Sequence, residues 1–93
     1  MFDVVAMVQR RATSPGWRDE RYKELIGLLK HRRNELGLTQ QALAERLGLH
    51  KQFISRVELG ERRLDVVEFV DYAEALEIVP AKLVTQIKPS GSV

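Results

Sequence analysis

The stretch Thr39–Gly60, TQQALAERLGLHKQFISRVELG, constrains the fold of this 93-residue chain more than any other. Leu43, Ala44 and Leu47 recur three to four residues apart and so share one face of a helix. Ile54 and Val57 repeat the pattern after a break at Gly48, leaving Lys51, Gln52, Ser55 and Arg56 on the opposite side. Gly48 and Leu49 leave room only for a tight turn, and glycine takes the left-handed conformation that closes a helix without steric cost. Two short helices joined this closely, the second with a polar and basic outer face, make a helical hairpin built to present its second helix.

Such a helix-turn-helix places its second helix in the major groove of DNA. The run TQQALAERLGLHKQFISRVELGERRLDVVEF resembles the lambda-repressor-like, Cro/XRE-type helix-turn-helix family of bacterial and phage regulators. The residues that carry the resemblance are Thr39, Gln40, Leu43, Ala44, Gly48, Ile54, Ser55, Glu58 and Gly60, and the likeness runs from about Leu25 to Leu83. Three positions depart from the pattern. Ala42 stands where an acidic residue often completes a capping box with Thr39, His50 replaces the usual small capping hydroxyl, and Glu77 replaces a glycine after the fourth helix. The resemblance implies an all-α domain of five helices, with the motif at helices two and three. It also implies a sequence-specific DNA-binding transcriptional regulator, of the repressor kind, acting as a homodimer on a palindromic operator.

Composition agrees with one small domain. At 44% apolar residues the chain holds enough for a single modest core, and it has no cysteine for disulfides or a thiolate zinc site. No apolar run approaches the roughly 20 residues that span a bilayer, so a cytoplasmic protein without a membrane partner is expected. Charge is unevenly spread: residues 1–63 carry +5 and residues 64–93 carry −3, which suits one face toward a polyanion and one away.

Residues 1–17 read as an N-terminal arm. Phe2, Val4, Val5, Met7 and Val8 suit a short strand or helix, and Pro15-Gly16 breaks it before the core. Three readings stay open there: packing on a dimer partner, Arg10 and Arg11 reaching DNA, or a partly ordered terminus. The domain itself is expected over 18–88, with 89–93 as a tail. Its first helix, from about Arg18 to Leu36, carries the stripe Tyr22, Leu25, Ile26, Leu29, Arg33 and Leu36. The family pattern pairs the Arg33 position with the acid that ends the recognition helix, here Glu58, as a structural ion pair with bidentate geometry.

Thr39 is placed to cap helix two. The resemblance gives Gln40 a DNA phosphate and a brace on the start of the recognition helix. In that helix, about Lys51 to Leu59, Lys51, Gln52 and Arg56 are the base-reading candidates: Lys and Arg match guanine's O6/N7 edge and Gln matches adenine's N6/N7 edge. Phe53 has two readings, contact with a thymine methyl or packing against helix two or a partner. Ser55, Arg62 and Arg63 are phosphate candidates, with pairing of the two arginines to Glu61 or to acids of helix four as the competing reading. Helix four is expected to begin at a capping box of Asp65 and Glu68, with Leu64 and Phe69 as a hydrophobic staple. Val66, Val67, Val70, Ala73 and Leu76 are its expected core stripe, and Asp71, Glu74 and Glu77 its outer face. Pro80 opens a last helix with the apolar edge Leu83, Val84 and Ile87, for the core or for a dimer contact.

The sequence holds no Gly-rich phosphate loop, no nucleophile–His–acid set and no His pair at metal-ligand spacing; His31 and His50 read as surface residues. An enzyme, a metal site and a cofactor are therefore not expected. The rival to a DNA reader is a protein-interaction module, or an antitoxin-type protein, that uses the same fold to hold a protein partner.

Overall fold

The computed structural model describes residues 19–87; the N-terminal arm and the tail lie outside the described residues. The described chain is all-helical: α1 (Glu20–Glu35), α2 (Gln40–Leu47), α3 (Lys51–Glu58), α4 (Val66–Ala75) and α5 (Pro80–Val84). The first helix is capped by Asp19, whose carboxylate accepts from the Arg21 amide at 2.8 Å. It buries Leu25, Ile26, Leu29 and Arg33, the middle of the stripe read from the sequence, with Tyr22 and Leu36 half-buried at its ends.

Local chemistry sets the later boundaries. The Thr39 hydroxyl accepts from the Ala42 amide at 3.0 Å and starts α2. Gly48, at φ 68°, ends it in the left-handed conformation. The turn is closed by the Gly48 amide donating to the Glu45 carbonyl at 3.2 Å and the Leu49 amide to the Ala44 carbonyl at 2.9 Å. Asp65 and Glu68 form both halves of a capping box on α4.

Leu29, Leu43, Ala44, Ile54, Val57, Tyr72, Ala73, Leu76 and Leu83 make the centre of the core, all nearly or wholly excluded from solvent. α2 packs on α3 and α4, α1 on α3, and α5 on α4. The core face of α4 differs from the expectation. Val66 and Val67 are 78% and 70% exposed and Val70 is half-buried. The burying stripe is Phe69, Tyr72, Ala73 and Leu76, spaced i, i+3, i+4, i+7. Val66 and Val67 stand in the first turn of α4, before the inward row begins at Phe69.

The end of α4 is held from two sides. Arg32 of α1 donates to the Leu76 carbonyl at 3.0 Å, and Arg46 of α2 donates to the Ala75 carbonyl at 2.9 Å. Cations on the last carbonyls of a helix satisfy acceptors that the helix itself leaves open and oppose its dipole. Arg46 also meets Glu77 at 3.1 Å, and Glu77 turns the chain with φ 61° where the family pattern has glycine.

Candidate nucleic-acid interface

The recognition element α3 is eight residues long and begins at Lys51. His50 precedes it in extended conformation and makes no side-chain cap. One face, Ile54 and Val57, is fully buried. The opposite face carries Lys51, Gln52 and Arg56, all exposed. Among the described residues, none of these three side chains has a hydrogen-bond or ionic partner. Ser55 flanks them, half-buried, with its hydroxyl likewise free of protein partners among the described residues.

The helix is fastened at its far end. Arg33 donates from Nε to Glu58 Oε2 at 2.6 Å and from Nη2 to Glu58 Oε1 at 3.0 Å. The remaining Nη1 donates to the Leu38 carbonyl at 2.7 Å. The side chains are only 10% and 4% exposed, so the pair is buried. The hydrogen bond to Glu58, opposed by desolvation, raises the Arg33 pKa above its ordinary value. Gln40 adds a third donor, its amide nitrogen meeting Glu58 Oε1 at 2.9 Å. It thus braces the end of α3 rather than its start. The signal for this was the glutamate itself, since a carboxylate has more acceptor sites than one arginine fills. The second hydrogen of the Gln40 amide stays available to a phosphate.

Phe53 stands apart from the outward residues. It is half-buried and packed on the core, with the Arg62 guanidinium 4.6 Å from its ring centre. That is the packing alternative, with a cation over the ring's negative face. The two arginines of the loop also separate. Arg62 binds Glu68 through both terminal nitrogens, at 2.9 and 2.6 Å, and donates to the Arg63 carbonyl. This is pairing with an acid of the fourth helix, and it occupies the groups that a phosphate would take. Arg63 is exposed and has no partner among the described residues. Glu68 serves twice, since its Oε1 also accepts from the Asp65 amide at 3.0 Å. Hydrogen bonds from Arg62, then from the Asp65 backbone, hold its carboxyl below its ordinary pKa.

His31 and His50 are exposed, and among the described residues no group of His, Asp or Glu side chains is arranged to hold a metal ion. Among those residues no helix is long and apolar enough to cross a membrane.

Two short helices joined by the tight Gly48 turn, the second with its exposed cations and amide turned outward, define a helix-turn-helix domain. Comparison with known proteins agrees. The helix-turn-helix family model matches residues 29–83. The "Uncharacterized HTH-type transcriptional regulator y4dJ" of Sinorhizobium fredii is 38% identical over 53 residues, which is 57% of this chain and 69% of that protein. The solved structure of an "XRE-family like protein" from Pseudomonas syringae pv. tomato superposes with a TM-score of 0.70 at 41% identity, covering 73% of this chain and 83% of the other. The chain belongs to the lambda-repressor-like, Cro/XRE-type helix-turn-helix family, a family of DNA-binding regulators and not of enzymes.

Proposed function

We propose that the protein is a transcriptional regulator that reads a palindromic operator as a homodimer, each subunit placing α3 in a major groove. The observation that carries the reading is the contrast between bound and free cations. Arg33, Arg46 and Arg62 are taken up by carboxylates and carbonyls, whereas Lys51 and Arg56 on α3, and Arg63 in the loop that follows, have no side-chain partner among the described residues. Arg56 and Gln52 lie together on the outermost row of α3 and read base edges, with Lys51 at the helix entry. Arg63, Ser55 and the free hydrogen of the Gln40 amide contact phosphates and set register. Arg62 reaches a phosphate only by releasing Glu68, and Phe53 supports the reading face from behind.

Scale supports the homodimer reading. An eight-residue helix is about 12 Å long, enough for three or four reading side chains. A second copy about one helical turn away, ~34 Å, doubles the base pairs read. The test is selection of bound duplexes from a random pool, then affinity of the winner against salt. A palindromic winner with a steep salt slope is expected. Absence of enrichment, with salt-insensitive binding to a protein partner instead, would replace this reading with the interaction-module one.

A further inference from the structure

The segment that joins α3 to α4 is held by side chains as much as by backbone. Gly60, at φ 78°, turns the chain out of α3. The amides of Glu61 and Arg62 both donate to the Arg56 carbonyl, at 2.8 and 3.2 Å. The Arg62 guanidinium then reaches three ways. It lies 4.6 Å from the Phe53 ring centre on α3, donates to both carboxylate oxygens of Glu68 on α4 at 2.9 and 2.6 Å, and donates to the Arg63 carbonyl. The next amide, that of Leu64, donates to the Tyr22 hydroxyl of α1 at 3.4 Å. The Arg63 carbonyl and the Leu64 amide belong to one planar peptide unit, so both of its polar groups are held by side chains. The Arg63 side chain is exposed and has no partner among the described residues.

Resting on the operator-reading function above, we propose that Arg62 is a positioning residue for DNA binding. It stays off the nucleic acid and fixes the backbone from which Arg63 reaches a phosphate. A bidentate, charge-assisted bond to Glu68 with an aromatic ring beneath the guanidinium occupies both the donors and the face of Arg62. The peptide unit of Arg63 is thereby ordered during folding, so Arg63 meets a phosphate without losing backbone freedom at that moment. The Glu61 and Arg62 amides hang from the Arg56 carbonyl. The phosphate contact is therefore held at a fixed offset from a base-reading residue, which is how such contacts set register.

The chain has no cysteine, so Arg63→Cys takes a single nitroxide spin label. Its electron paramagnetic resonance spectrum in the free protein should show restricted motion. Adding Arg62→Gln or Glu68→Gln should mobilise it, with far-UV circular dichroism unchanged because a half-exposed ion pair contributes little to folding. One substitution removes a positive charge and the other a negative one, so mobilisation by both traces to the tie and not to net charge. Operator affinity is the second arm. Arg62→Gln should weaken the selected duplex about three- to tenfold, and the loss should vanish in an Arg63→Ala background, as for two residues acting as one unit. A label as ordered in Arg62→Gln as without it overturns the positioning role. So does an equal loss in both backgrounds, the mark of a phosphate bound by Arg62 itself. Full affinity in Arg62→Lys, which keeps the charge without the planar fork, overturns it too. Failure of the unmodified protein to retain any duplex removes the operator reading, and the proposal with it. The label separates the two failures, since it reports the loop without DNA.

Discussion

Arg33 on α1 and Glu58 at the end of α3 face each other through two hydrogen bonds, and Gln40 of α2 shares the carboxylate oxygen that Arg33 Nη2 holds. Three helices therefore converge on one buried carboxylate. Removing it strands a guanidinium that keeps only the Leu38 carbonyl as partner. Glu58→Ala should cost about 3–5 kcal/mol, and an Arg33→Met/Glu58→Leu double variant markedly less, because a buried pair repays its desolvation poorly. Urea unfolding of both variants checks this; equal losses would mean that the pair itself, not the stranded charge, carries the stability.

Arg56→Ala and Arg63→Ala should separate by signature. The first should lower affinity for the selected operator by about 1–3 kcal/mol while scarcely changing affinity for random DNA. The second should weaken both alike and reduce the salt slope by about one. Titrations of each variant at several salt concentrations decide it; equal loss on both duplexes for Arg56→Ala would remove it from the base-reading set.

Glu77 holds a positive φ that costs an L side chain roughly 1 kcal/mol or more relative to glycine. Its exposed contact with Arg46 offsets only a few tenths to one kcal/mol of that. Glu77→Gly should therefore leave the protein as stable or up to about 1 kcal/mol more stable, read as a higher denaturation midpoint at unchanged slope. A loss above about 1 kcal/mol would show that the Arg46 contact outweighs the strain.

The lowered pKa of Glu68 gives the stability an acid limb. In the unfolded chain a glutamate titrates near 4.3. The native form favours the carboxylate, so its contribution is complete above about that pH and disappears as pH falls through the lower native value. Glu68→Gln keeps the capping-box geometry but removes the charge. The stability gap between the two proteins should be constant near neutrality and close below about pH 4. Urea midpoints measured across that range test it, and a gap that widened with acid would contradict the assignment.

What the sequence shows of this molecule depends on how local the governing physics is. The two helices of the motif, their glycine turn and the Thr39 and Asp65 caps are decided by residues within four positions of one another, and they are where the pattern puts them. The face of α4 is not local. Three valines suggest a core stripe, but only the neighbouring helices decide that Tyr72 faces inward, with its phenol buried and its pKa driven far up by desolvation, and that Val66 does not. The partners of Arg62 were equally hidden, since Glu61, Glu68 and a phosphate offer it similar chemistry and geometry alone selects Glu68. Arg32 and Arg46 left no trace in the sequence as ties to α4, because a backbone carbonyl has no residue identity.

The turn at Gly48 and the Gln40–Glu58 bond join α3 to α2 at both ends. A rod clamped at two points has no hinge about which to swivel. On the proposed reading, exchanging Lys51, Gln52 or Arg56 should alter what is read without altering where the rod points. If the proposed reading holds, the outward side chains are interchangeable bits in a fixed holder, and new target sequences should be reachable by substitution at the tip while the holder stays as it is.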